Sequence, residues 1–378
     1  MKGFQFVHNL TARLLLAALF LIPVLTGFAT PAAAAGGNPG VVYTLSNAAS
    51  GNQVLAYNRA ADGALSFQGA YDTGGLGSGA GLGSQGALTP SKNNRWLFAV
   101  NAGDDKISVF AVRPDGLVLA DVVGSGGNHP ISLTVNEDLL YVLNAGGSGN
   151  ITGFSIARGG KLSPIAGSTQ PLSNGGSGAA PGPAQVSFSP DGSTLVVTEK
   201  ASNLIDTYRL ENGMAMAPVT YPSAGATPFG FAFDKRGDLV VSEAFGGAPG
   251  QSALSSYAVN EGAFQVISPS VRTTQTAACW VVITKNGKYA YTTNAGSGSI
   301  SSYRIGKDGS LSLLNAIAGL TGNGSSPIDM AFSNNNAFLY TLNAGAHTIS
   351  AFQVLPDGSL VSIGAAGVPV GAVGLAAQ

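Results

Sequence analysis

Charge is scarce in this chain: 10% of its residues are Asp, Glu, Lys or Arg, and the net charge is −1. Nucleic acid is held by a basic stripe or patch, so a nucleic-acid partner is excluded. Cysteine occurs once, at Cys279, which rules out an intramolecular disulfide and a Cys-rich zinc site. It stands in the apolar run AACWVVI, where a buried, inert thiol is expected. Charged helix formers are few while glycines number 54, so short strands joined by Gly turns are expected rather than long amphipathic helices. Beyond the N-terminal segment no apolar run is long enough to span a bilayer. A G-x-S-x-G elbow, H-E-x-x-H, an EF-hand loop and a phosphate loop are all missing from any suitable context, and no cofactor or metal is expected.

The first residues set the compartment. Lys2 and Arg13 bracket a basic region, an apolar run follows from Leu14 to Phe28 with Pro23 inside it, and Ala32 to Ala35 offer a small-residue cleavage site. That order is the pattern of a secretory signal peptide over residues 1–35. An uncleaved anchor is the other reading, for which the run is short and Pro-broken. The expected mature protein, residues 36–378, is a single extracytoplasmic domain, secreted or periplasmic, without a membrane span and monomeric.

What the chain does contain is a repeat. Segments 140–156 (LYVLNAGGSGNITGFSI), 290–305 (AYTTNAGSGSISSYRI) and 339–354 (LYTLNAGAHTISAFQV) carry the same order of strand, Asn-Ala-Gly and alternating strand. The turn before the last strand of each unit recurs seven times, at Asp62-Gly63, Asp115-Gly116, Gly159-Gly160, Asn212-Gly213, Glu261-Gly262, Asp308-Gly309 and Asp357-Gly358. Its spacing of 44 to 53 residues is that of propeller blades. The turn between the first two strands recurs only six times, from Asn93-Asn94 to Asn335-Asn336. The first unit starts at Val41, directly with its second strand, and the missing first strand resembles Pro369 to Ala377 at the other end. The expected fold is therefore all-β: a seven-bladed β-propeller with one blade closed by the N- and C-terminal strands. A β-solenoid would not need its last residues to supply its first strand. The Gly/Ser segments 75–86 and 174–182 are expected to be long flexible loops, with a ligand-covering lid as the sharper alternative.

Propeller geometry puts the loops that enter first strands and those that follow second strands on one face. The entering loops hold His129-Pro130, Pro183, Thr227-Pro228 and Ser326-Pro327. The second strands end at Asn101, Asn144, Glu199, Glu243, Asn294 and Asn343, with Asn47 in the first unit. Asn caps turn backbone in its ordinary role; Asn144, Asn294 and Asn343 are also candidate substrate-binding groups. Glu199 and Glu243 break the pattern in adjacent units, because an ionised carboxylate cannot donate. They are candidates for a general base and its partner or for a cation site, against the plainer role of solvated rim charges. Mutual repulsion is expected to raise one of their pKa values. His129, at the channel entrance, is a third catalytic candidate beside an ordinary capping role. Gln185 and Asp329 each fall two residues after a Pro and are expected to point into the channel as ligand groups, or to be satisfied by water.

The units SPDGSTLVVTEKASNLIDTYRL and TKNGKYAYTTNAGSGSISSYRIGKDGSLSLL resemble the seven-bladed propeller lactonases, which include 6-phosphogluconolactonase-type enzymes and carboxymuconate cyclases. The resemblance runs from about Val41 to the end of the chain. It implies a His or Cys at His129, an Asp at Glu199 and the family's Glu at Glu243. Three of the family's cationic groups are replaced: Leu204 and the pair Phe229-Gly230 stand where Arg and Arg-His are usual, and Asn294-Ala295-Gly296 replaces Asn-Arg-Gly. Without that clamp, phosphorylated or polycarboxylate substrates are not expected. The resemblance implies hydrolysis of a neutral lactone or sugar derivative, with Glu243 or Glu199 as base and His129 polarising the carbonyl. The alternative is a non-catalytic propeller that binds a polysaccharide or protein partner on the same face.

Overall fold

The computed structural model describes residues 39–260 and 263–378. The expected leader over residues 1–35 and the Glu261-Gly262 turn lie outside them. The strands form seven antiparallel sheets, and in each the first strand pairs with the second, the second with the third, and the third with the outer strand. First strands are Leu88–Pro90, Pro130–Asn136, Pro183–Phe188, Pro228–Phe233, Ala278–Ile283 and Pro327–Phe332 in blades two to seven. Their second strands are Trp96–Asn101, Leu139–Asn144, Thr194–Glu199, Leu239–Glu243, Tyr289–Asn294 and Phe338–Asn343. Blade one takes its second strand, Gly40–Leu45, from the start of the domain and its first strand, Val373–Ala377, from the end. Those two pair antiparallel, Val42 opposite Ala377 and Thr44 opposite Leu375, so the ring closes through a two-ended blade as the turn count requires. Neighbouring first strands pack on one another around the ring and line its axis. Among the described residues no helix is long and apolar enough to cross a membrane.

The alternation of the repeat becomes burial between blades. Tyr141, Tyr291 and Tyr340, the apolar-run tyrosines of the clearest copies, are wholly enclosed. A buried phenol must still place its O–H. Here each donates to the turn glycine of the following blade: Tyr141 to Gly213 O at 2.9 Å, Tyr291 to Gly358 O at 2.8 Å and Tyr340 to Gly63 O at 2.9 Å. Third-strand tyrosines reach back instead, Tyr57 to Gly367 O and Tyr303 to Val271 O, each at 2.8 Å. In these blades the tyrosines thus tie a blade to its neighbour through turn or outer-strand carbonyls.

Asn-Ala-Gly has an equally local cause. After the second strand the Ala N–H donates to the residue just before the first strand, as in Ala145 to His129 O, Ala295 to Ala277 O and Ala344 to Ser326 O, each at 2.9 to 3.0 Å. The glycine that follows lies against the same loop. A Cβ on Gly146 would come within 2.8 Å of Asn128 Cβ, and one on Gly345 would overlap the Gly324 carbonyl. Only glycine allows that approach.

Candidate functional site

The residues that end the second strands are buried, including Asn101, Asn144, Glu199, Glu243, Asn294 and Asn343. In the Asn blades the side-chain amide donates across to the third strand. Asn294 Nδ2 reaches Ser299 Oγ at 3.1 Å and Ser301 Oγ at 2.9 Å, and Asn343 Nδ2 reaches Thr348 Oγ1 at 3.1 Å and Ser350 Oγ at 2.8 Å. Asn144 Nδ2 bonds Asn150 Oδ1 at 2.8 Å. The amide carbonyls of Asn144, Asn294 and Asn343 are enclosed without a donor among the described residues.

Glu243 occupies the same slot with the polarity reversed. It accepts from Ser255 Oγ and, at 2.6 Å, from Ser270 Oγ, while the Gly225 backbone lies so close that a Cβ there would overlap Glu243 Oε2. Burial pushes its carboxyl above the ordinary range against the pull of those hydrogen bonds. Glu199 accepts from Ser173 N at 3.0 Å, Ser173 Oγ at 2.5 Å and Ser202 Oγ at 2.6 Å. Its like-charged neighbour is Asp206, on the adjacent third strand Leu204–Glu211, rather than Glu243. Burial first, and then the hydrogen bond and charge of Glu199, push the Asp206 carboxyl strongly upward. The Asp206 carboxyl thus keeps its proton to higher pH, beside its hydrogen bond with Glu199. Asp206 carries no sequence signal, because LIDTYRL reads as an ordinary alternating strand.

His129 sits half-buried at its loop with φ +56°. Its backbone N–H donates to Asp105 Oδ1 at 2.7 Å and its Nδ1 lies 3.1 Å from Ala102 O. Thr227 fills the corresponding place in blade five, with φ +58° and its N–H on Asn203 Oδ1 at 2.7 Å. The repeat accounts for the backbone at His129, and the ring is anchored through Nδ1.

Gln185 and Asp329 both turn to the first strand of the next blade. Gln185 makes a bidentate pair with Phe231, its Nε2 donating to Phe231 O at 3.0 Å and its Oε1 accepting from Phe231 N at 2.7 Å. Asp329 accepts from Met330 N at 2.8 Å and from the Leu375 N–H of the closing strand, and burial raises its carboxyl to about 8. Ser132 does likewise in blade three, its Oγ accepting from Val186 N at 3.2 Å.

Residues 75–86 are a plug, not a loose loop. The segment is tied first to blades one and two, where Asn47 Oδ1 takes Ser78 N at 2.9 Å and Gly103 N donates to Leu76 O at 2.9 Å. It then crosses the central face. Lys200 Nζ donates to Gly83 O at 2.5 Å, Trp280 Nε1 to Ser84 O at 2.9 Å and Ser84 Oγ to Ile131 O at 2.7 Å. Gln85 N donates to Ala184 O at 3.1 Å, and Gln85 O accepts from Ser132 Oγ at 2.6 Å. The Lys200 ammonium lies 4.7 Å over the Phe229 ring and is lowered to about 8 by burial. Beside the plug a cavity of about 260 Å³ remains, lined by Leu82, Trp280, Ile328, Ala344, Val373 and Gly374. Its walls are apolar, and none of the candidate carboxylates lines it. Among the described residues no three His, Cys, Asp or Glu side chains gather in a way that could hold a metal ion.

Three comparisons place this architecture. A structure from Lactobacillus plantarum superposes with a TM-score of 0.71 at 16% identity, over 89% of this chain and 98% of the other. The periplasmic gluconolactonase of Pseudomonas aeruginosa gives 0.66 at 16%, over 88% and 97%. A candidate 6-phosphogluconolactonase from Bacteroides fragilis gives 0.67 at 18%, over 89% and 97%. At these identities the likeness is one of fold. A comparison with curated proteins gives no match. The family described as "Lactonase, 7-bladed beta-propeller" matches residues 37–174, 148–244 and 243–371, which together span the domain. The chain belongs to the seven-bladed β-propeller lactonase family.

Proposed function

We propose that this protein is an extracytoplasmic member of the lactonase family that binds an uncharged small molecule or carbohydrate end in the apolar cavity beside residues 75–86, without hydrolysing it. One observation carries the reading: the central face is filled by the chain's own residues 75–86, while Glu199 and Glu243 are enclosed among serine donors. A general base must come within hydrogen-bond reach of the water or substrate it deprotonates. Carboxyl groups with no exposed surface, each already held by serine hydroxyls, do not meet that condition. The loss of cationic groups at Leu204, Phe229-Gly230 and Ala295 points the same way, since the ammonium that stands over Phe229, that of Lys200, is engaged by Gly83 O of residues 75–86. What remains open beside the plug is apolar, with Trp280 as its aromatic wall.

Acid release from a panel of neutral lactones, followed in a pH-stat, tests this directly. The expected trace equals spontaneous hydrolysis for every lactone, with or without the protein. Saturable acid release that Glu243→Gln removes would overturn the binding reading and restore hydrolysis of a neutral lactone.

A further inference from the structure

In blades three, four and seven, the residue two places into the first strand reaches the backbone of the next blade. Ser132 serves Val186, Gln185 serves Phe231, and Asp329 serves Leu375. In blade six the position holds Trp280, which donates to Ser84 O instead, and in blade five it holds Gly230, which has no side chain to offer. Its partner in blade six would be Val281, yet Val281 is not left bare. Gln85 Nε2 donates to Val281 O at 2.9 Å, and Gln85 Oε1 accepts from Val281 N at 3.2 Å. That is the bidentate bond Gln185 makes to Phe231, supplied from another part of the chain. A Cβ on Gly230 would overlap Gln85 Oε1 and come within 2.6 Å of Cys279 O. The absent side chain is what leaves room for the incoming carboxamide.

We propose that Gly230 and Val281 form a carboxamide-binding notch in the channel wall, and that Gln85 is its tethered occupant, the latch that holds residues 75–86 across the central face. The notch presents one N–H and one C=O on adjacent lines, and a primary carboxamide offers the matching acceptor and donor in a single planar group. A carboxylate offers acceptors only; a protonated carboxyl again offers both. The latch follows from chain geometry and holds whether the face binds or hydrolyses its ligand.

The chemistry gives a test that plain loss of packing would not mimic. Backbone amide exchange of residues 76–86 is measured by mass spectrometry in wild type, Gln85→Ala and Gln85→Glu, each compared with wild type at the same pH. Gln85→Ala is expected to raise plug exchange at least tenfold at both pH 4.5 and pH 8, with the outer strands unchanged. Gln85→Glu is expected to match wild type at pH 4.5, where its carboxyl is protonated, and Gln85→Ala at pH 8, where the carboxylate faces the Val281 carbonyl. Plug exchange in Gln85→Ala indistinguishable from wild type overturns the latch. A Gln85→Glu variant that behaves identically at the two pH values overturns the carboxamide notch.

Discussion

Deleting residues 369–378 abolishes the cooperative unfolding transition of the whole domain, not of one blade. The segment supplies the first strand Val373–Ala377, whose Val373, Leu375, Ala376 and Ala377 are all buried. Full burial of a Val or Leu contributes about 1.5–3 kcal/mol, and domains retain only about 5–15 kcal/mol in total. The deletion also strips partners from residues that stay behind. Thr44 Oγ1 loses the Gly374 carbonyl at 2.7 Å, and the buried Arg59 guanidinium loses both its bonds to Gln378 O, at 3.0 and 2.9 Å. Asp329 loses the Leu375 N–H. A partnerless buried polar group costs about 1–3 kcal/mol, and a charged one more. The second strand of blade one and the first strands of blades two and seven would face solvent together. Thermal melts by far-UV circular dichroism check this. A truncated protein that melts within about 2 °C of the full chain would show that the two-ended blade does not close the ring.

Stability falls as pH rises from about 4 to 8, because Asp206, Asp329 and Glu243 hold protons in the folded state that the unfolded chain gives up earlier. Asp329 is raised from an ordinary 3.8 to about 8, and the other two move in the same direction, all three through burial first. For a carboxyl whose folded pKa is raised, the unfolded state binds fewer protons across the window between the two values, so the unfolding free energy declines with pH. Every tenfold tightening of proton binding on folding corresponds to about 1.4 kcal/mol. Asp121 and Asp191, whose carboxyls are lowered, act in the opposite direction. The net expectation is a Tm lower by roughly 5–10 °C at pH 8 than at pH 5. Asp206→Asn flattens that slope: its Oδ1 still accepts from Thr220 Oγ1, 2.7 Å away in the native protein, and its amide donates to Glu199 with no proton to hold. Glu243→Gln flattens it further, since it puts at that slot the amide that Asn blades already carry. Identical pH profiles for wild type and both variants would contradict the burial account.

How far the sequence can be read depends on what each feature repeats. The strand alternation, the Asp-Gly turns and Asn-Ala-Gly recur blade after blade, so fold, blade number and the two-ended closure are all legible. The departures from the repeat are visible as well: Glu199 and Glu243 stand out among asparagines. Their surroundings are not visible, because the serines that enclose them come from third and outer strands and from loops such as the one holding Ser173. Blade order points to Glu243 as the like-charge neighbour of Glu199, whereas strand pairing within blade four supplies Asp206. Residues 75–86 are opaque for a different reason. Gly and Ser have no periodicity to read, and the segment's order comes from partners scattered over blades one to six. In the sequence Gly230 reads as a lost family residue, and its role as the space that admits Gln85 emerges only from the fold.

Residues 75–86 lie hydrogen-bonded across the channel, and the chain carries its own reporter of that contact. It contains two tryptophans, Trp96 and Trp280, and the Trp280 indole N–H donates to Ser84 O in the plug at 2.9 Å. Solvent exchange of the two indole protons in the native protein, resolved by NMR, is therefore the most direct measurement. The Trp280 proton is predicted to exchange at least a hundredfold more slowly than that of Trp96. Equal, fast exchange of both would mean that the plug is not seated and that the central face stands open.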